Sequence, residues 1–204
     1  MRNAFILVGT ILSFLLNQLP AFSQTNFHPG YIIKSDGDTA NGMIKLNRQT
    51  KTPSSILFRS SETTPGVEYL PTGIRGFFDG ESHYVAAHVM IEKPSEGTSL
   101  EQRPDFAFDS DNVFLKYLVK GEKSLLYLRH NDDREHYYIS KNDTFELLLY
   151  KEYLKTDDQS RTAKLSVKRY VSQLMEYFND NSATKEAVAR TEFKYNKLVN
   201  LFNG

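Results

Sequence analysis

VFLKYLVKGEKSLLYLRHNDDREHYYISKNDTFELLLY, residues 113–150, decides the fold. Short apolar runs rich in Val, Phe, Tyr and Leu alternate with polar breaks at Gly121-Glu122, at Asn131 to Glu135 and at Lys141-Asn142-Asp143. β-Branched and aromatic runs bounded by turn residues read as strands, and breaks this short can only reverse the chain. Three or four antiparallel strands in succession are therefore expected, with HNDDREHYY (residues 130–138) straddling a hairpin tip.

The same texture extends upstream. In GYIIKSDGDTANGMIKL two apolar runs flank Asp36-Gly37-Asp38, a hairpin signal because Gly accepts the positive φ of a tight turn. A calcium loop starting at Asp36 would need a ligand at its fifth position and a glycine at its sixth, where Ala40 and Asn41 stand. Further short runs follow at Ser55–Arg59, Glu68–Leu70, Ile74–Phe78 and Ser82–Met90, with Asp79-Gly80 as another turn. Residues 92–111, with two prolines and many polar side chains, read as a long loop or insertion; Asp109 and Asp111 again hint at calcium, but Val113 falls where the next ligand should be.

Downstream of Tyr150 the period changes. Val167, Tyr170, Val171, Leu174, Met175 and Phe178 fall at spacings of three and four, one face of a helix. Val188, Tyr195, Leu198, Val199 and Phe202 mark a second helix from about Lys185 to Asn203, with Ser182 and Thr184 as N-cap candidates. The expected architecture is α+β: an antiparallel meander of about 8–10 short strands over residues 24–150, then a C-terminal pair of α-helices over residues 151–204, packed as a hairpin on the sheet.

The first residues, MRNAFILVGTILSFLLNQLPAFSQ, have the charged, apolar and small-x-small parts of a secretory signal, with cleavage after Ser23. The apolar run is too short for a span of about 20 residues, and nothing after residue 24 approaches that length, so the mature body reads as soluble and exported. Lys plus Arg and Asp plus Glu each total 25, which removes any electrostatic case for nucleic acid. Without cysteine the chain has no disulfides and no cysteine-linked lipid, so its stability rests on an ordinary core.

Chemistry is sparse. There is no G-x-S-x-G elbow, no phosphate-cradling glycine loop and no H-E-x-x-H, and no cofactor motif. His83 and His88 lie five apart in one strand and point to opposite faces. His130 and His136 end the two strands of a hairpin and can face one another beside Asp132, Asp133 or Glu135. His130, His136 and Asp132 are thus the only metal candidates, against the simpler reading of a solvated polar tip. Tyr137, Tyr138 and Tyr150 are candidates for a sugar- or protein-contacting surface, although core packing explains most tyrosines.

The stretches GYIIKSDGDTANGMIKL, PSSILFR, YLPTGIRGFFDGESHYV, FLKYLVKGEKSLLYLR and HYYISK resemble the β-rich N-terminal region of uncharacterised secreted proteins from Bacteroidota bacteria. Gly30, Gly37, Asp38, Thr39, Gly42, Gly121 and Ser124 match that pattern as turn positions, and the resemblance implies no catalytic residue. Some such proteins continue into an outer-membrane β-barrel. This chain ends at Gly204 without the roughly ten-residue alternating strands of a barrel, so it reads as a free-standing member or as a piece of a barrel-bearing protein.

The expectation is a noncatalytic periplasmic or outer-membrane-associated protein. It would bind an envelope protein or polymer through a sheet edge or an aromatic surface. The alternatives are a periplasmic hydrolase acting on glycan through carboxylates that spacing does not reveal, and a small-ligand carrier with a pocket between sheet and helices.

Overall fold

The computed structural model describes residues 27–47, 52–93, 105–130, 133–141, 144–179 and 182–204; the expected leader, residues 1–23, lies outside them. Among the described residues twelve strands precede three short helices. The strands are β1 (His28–Lys34), β2 (Thr39–Leu46), β3 (Ile56–Arg59), β4 (Val67–Tyr69), β5 (Ile74–Phe78), β6 (His83–Glu92), β7 (Phe108–Val119), β8 (Leu125–Arg129), β9 (Glu135–Lys141), β10 (Thr144–Leu147), β11 (Lys151–Thr156) and β12 (Thr162–Val167). The helices are α1 (Arg169–Tyr177), α2 (Ser182–Arg190) and α3 (Tyr195–Asn203). The chain is α+β, with a large antiparallel sheet.

Ten strands form one sheet in the order β10-β9-β8-β7-β6-β5-β1-β2-β3-β4, and β11-β12 form a separate two-stranded sheet. The expected D-G turns are present, with positive φ at Gly37 (100°) and Gly80 (94°). The Asp36 carboxylate accepts the Asp38 amide at 2.9 Å, the turn use of a residue considered for calcium. Gly30 and Gly42 are not turn residues: they face one another within β1 and β2, where a Cβ would run into the Phe78 and Arg59 carbonyls.

Chain reach forces the sheet to curl. β4 and β5 are separated by β3, β2 and β1, about 19 Å across a flat sheet at ~4.8 Å per strand. The link from Tyr69 to Ile74 reaches roughly 17 Å at ~3.4 Å per residue. The first half therefore rolls around Ile32, Ile44, Ile56, Phe58, Ile74, Phe77, Tyr84 and Phe114. The other half rolls the opposite way, bringing β10 back against β6 around Val89, Ile91, Val113, Leu115, Leu126, Leu128, Tyr138 and Leu147. Successive β7 residues divide between the two cores, Phe114 in the first and Val113 and Leu115 in the second, so the cores lie on opposite faces of one S-shaped sheet.

The helices cover the outer face of the second curl. Tyr170, Leu174 and Tyr177 of α1, Val188 of α2, and Leu198 and Leu201 of α3 pack with Leu125, Tyr137 and Ile139. A bulge in β7 between Tyr117 and Val119 lets adjacent Leu118 and Val119 both reach this cluster. Ser124 donates its amide to the Tyr177 hydroxyl at 2.9 Å, and the Gln173 carbonyl accepts the Leu149 amide at 2.9 Å, which fixes α1 on the sheet.

Three expectations are corrected. Residues 92–111 are not wholly a loop, since β6 runs to Glu92 and β7 begins at Phe108, placing Asp109 and Asp111 in a strand. Residues 151–167 are not helical: they form the β11-β12 hairpin, whose turn is held by the Asp157 carboxylate accepting the Gln159 and Arg161 amides. Val167 thus ends a strand, and the helical face begins at Tyr170. The expected second helix is broken in two, making three helices rather than a pair. The Tyr170 hydroxyl donates to the Thr191 carbonyl at 2.8 Å, an acceptor a continuous helix would offer to residue 195, and Phe193 enters the ring cluster of Tyr137, Tyr150 and Tyr170.

Phe114 meets Phe77 edge-on at 5.0 Å and is fully buried. Phe114→Ala is expected to cost about 3–5 kcal/mol in urea unfolding, and a loss below about 1 kcal/mol would contradict its place in the first core.

Candidate functional site

HNDDREHYY does form the β8-β9 tip, with Asn131 and Asp132 outside the described residues, so the metal candidate Asp132 has no described position. The histidines do not pair: His136 stands opposite Leu128, and His130 donates its amide to the Arg134 carbonyl at 3.2 Å. His136 is buried at 5% exposure, on the face of Leu126, Leu128 and Tyr138. The His130 Nε2 lies 3.7 Å from an Asp111 carboxylate oxygen at the rim. Among the described residues no three His, Asp or Glu side chains converge as a metal site.

That rim is one mouth of the second curl. Ile91, Glu92, Lys93, Asp109, Ser110, Asp111 and His130 line a depression of about 230 Å³. Its charges are engaged internally: Glu92 receives Arg134 at 3.5 Å and Lys151 at 3.7 Å, and Lys93 meets Asp109 at 3.4 Å. Arg134 also donates to the Glu92 backbone carbonyl, and the Tyr138 hydroxyl donates to the Met90 carbonyl at 2.9 Å. These bonds close β9 against β6 where no strand ladder does so.

The opposite mouth is built differently. β5 and β6 pair only at Gly76↔Val85, Phe77↔Tyr84 and Phe78↔His83; beyond that rung Ile74 follows β1, opposite Lys34 across a bulge, while β6 continues with β7. A sheet rolled in two directions parts where the directions diverge. The split opens a cavity of about 580 Å³, walled by Ile74 and Arg75 on one side, Ala86, Ala87 and His88 along β6, and Tyr117, Ser140 and Phe145 opposite. Its size suits a ligand site. Arg75 donates its Nε–H to the Ser35 carbonyl at 2.9 Å, and among the described lining residues there is no Asp or Glu.

The displaced carboxylates are held in their charged form. Asp109 is held below the usual carboxylate range by the Ser110 amide and then Lys93, and Glu152 by Lys164 and the Tyr150 hydroxyl. A glycosidase acid requires the opposite shift. Desolvation, followed by Glu135, pushes Tyr127 up to about 12, and burial raises Tyr137 and Tyr138 further. Tyr137 and Tyr138 are buried core residues rather than a surface for sugars, and Tyr150 is half-buried. His83 sits against Phe78 at 4.7 Å, and desolvation and then Lys120 lower its pKa.

The split was missed by sequence reasoning, since nothing marks where a strand changes partners; Ala86-Ala87 inside a strand of larger residues is the one local hint. Among the described residues no helix is long and apolar enough to cross a membrane. No protein-family description, curated protein or solved structure matches the chain.

His136→Ala is expected to cost about 2 kcal/mol in urea unfolding, and rim His130→Ala within about 0.5 kcal/mol. A zinc-induced rise in Tm abolished by either substitution would contradict this assignment.

Proposed function

We propose that the protein is a noncatalytic binding module of the cell envelope, exported by its leader, which takes its ligand in the cavity between β5 and β6. The observation that carries this reading is the open split itself: about 580 Å³ lined by small and polar side chains such as Ala86, Ala87, Ser140 and Arg75 together with the apolar Ile74 and Phe145. Hydrolysis of glycan needs two carboxylates across a cleft, and the described lining residues include none. A carrier pocket between sheet and helices is also disfavoured, because that space is filled by Tyr137, Tyr170, Leu174, Phe178 and Leu198.

Ser140 stands half-buried on the cavity wall. The chain from Gln24 onward, immobilised and exposed to envelope proteins and to peptidoglycan, is expected to retain ligand, with at least tenfold weaker retention by a folded Ser140→Phe variant. Equal retention by the variant, or turnover of peptidoglycan fragments by the wild type, would overturn the proposal.

A further inference from the structure

The charges at the rim of the second curl are bonded to one another, but the polar side chains along the split are not. Ser140 and Phe145 form one rung of β9-β10, His88 and Asn112 form one rung of β6-β7, and all four line the cavity together with Tyr117. Among the described residues no protein group takes up the Ser140 or Tyr117 hydroxyl, the Asn112 side-chain amide or the nitrogens of the His88 ring. Burial alone raises the Tyr117 pKa, which fits a hydroxyl partly withdrawn from water without a bonded partner.

Arg75 is oriented from behind. Its Nε–H is held by the Ser35 carbonyl at 2.9 Å, and Ser35 donates its hydroxyl to the Gly73 carbonyl at 3.1 Å, so the β1-β2 turn and the β4-β5 link together position the guanidinium. Its terminal Nη groups remain, and no carboxylate among the described residues pairs with them.

We propose that the cavity binds an acidic sugar, a hydroxyl-rich ring bearing a carboxylate, with the carboxylate on the Arg75 Nη pair and the hydroxyls on Ser140, Asn112, Tyr117 and His88. The Nη fork matches the two oxygens of a carboxylate. Hydroxyl, amide and neutral imidazole groups each donate and accept, which complements sugar hydroxyls that do the same. Phe145, Ile74 and Ala87 supply an apolar wall for the C–H groups of the ring, and about 580 Å³ is in the range of small-molecule sites. An amino acid or peptide terminus would bring an ammonium group to a lining whose described residues include no carboxylate, and a fatty acid would leave the polar groups facing its tail unpaired. The inference rests on the binding-module reading and names its ligand class.

The test titrates D-glucuronate, D-glucose and hexanoate into the ¹⁵N-labelled chain from Gln24 onward. Glucuronate is expected to shift the amides of Ala87, His88 and Ser140 most, with a Kd of about 1 mM or below, and glucose and hexanoate are expected to bind at least tenfold more weakly. Arg75→Gln should bring glucuronate down to the affinity of glucose and leave glucose unchanged, whereas Asn112→Ala should weaken glucuronate about threefold and leave hexanoate unchanged. If Arg75→Gln does not fold, the ratio of glucuronate to glucose affinity on the wild-type protein reads the same contact.

Glucuronate bound no more tightly than glucose, hexanoate bound as tightly as glucuronate, shifts confined to residues outside the cavity, or no glucuronate binding at ten times that concentration would overturn the acidic-sugar assignment. If that assignment fails while envelope material is still retained in a Ser140-sensitive way, the binding-module reading stands; retention indifferent to Ser140→Phe would overturn that reading instead.

Discussion

The structure depends on the β6-β7 hairpin having to serve two cores at once. Nine rungs, from Tyr84↔Lys116 to Glu92↔Phe108, hold these strands together, and their side chains divide between opposite faces. Tyr84 and Phe114 complete the first core, and Val89, Ile91, Val113 and Leu115 complete the second. A one-residue slip would exchange the two sets and empty both cores, so the register is tightly specified. Because the two halves roll in opposite senses, β5 cannot follow β6 to its end, and the split is the geometric cost of burying apolar surface on both faces.

The two mouths of the second curl show how the molecule treats unpaired strand edges. At one end the missing ladder is replaced by side chains, with Tyr138 and Arg134 reaching the carbonyls of Met90 and Glu92, and with Lys151, only 8% exposed, also held on the Glu92 carboxylate. An edge closed in this way is blocked to further strands. At the other end the ladder of β5 stops at the Gly76↔Val85 rung, and the cavity opens beside Ala87 and His88. The contrast within a single strand separates structural satisfaction from an available site better than the number of charges does: the charged rim first attracts notice, yet its charges already have partners.

The sheet was legible where apolar runs met turn chemistry. Asp36-Gly37 and Asp79-Gly80 announced their hairpins, and the runs from Val113 to Leu147 announced three or four successive strands, of which four are present, because local sequence determines both the run and the reversal. The β11-β12 hairpin was not read, since Tyr153, Leu154 and Leu165 alternate too weakly among charged neighbours, and its turn depends on Asp157 bonding. The break between α2 and α3 was invisible for a different reason: Val188 and Tyr195 keep helical spacing, and only the Tyr170 hydroxyl and the pocket for Phe193 interrupt the backbone. The candidate site was the least legible element. It arises from strand partners parting in three dimensions, which no local run of residues records.

Residue-resolved amide hydrogen exchange along β6 tests the central claim most directly. The account predicts strong protection of the Val85, Ala87 and Val89 amides by β7 and of the Ala86 amide at the last β5 rung, with the His88 amide, beyond that rung, exchanging orders of magnitude faster. Protection of His88 equal to that of Ala87 and Val89 would contradict it, because it would mean that another partner already closes β6 where β5 leaves it.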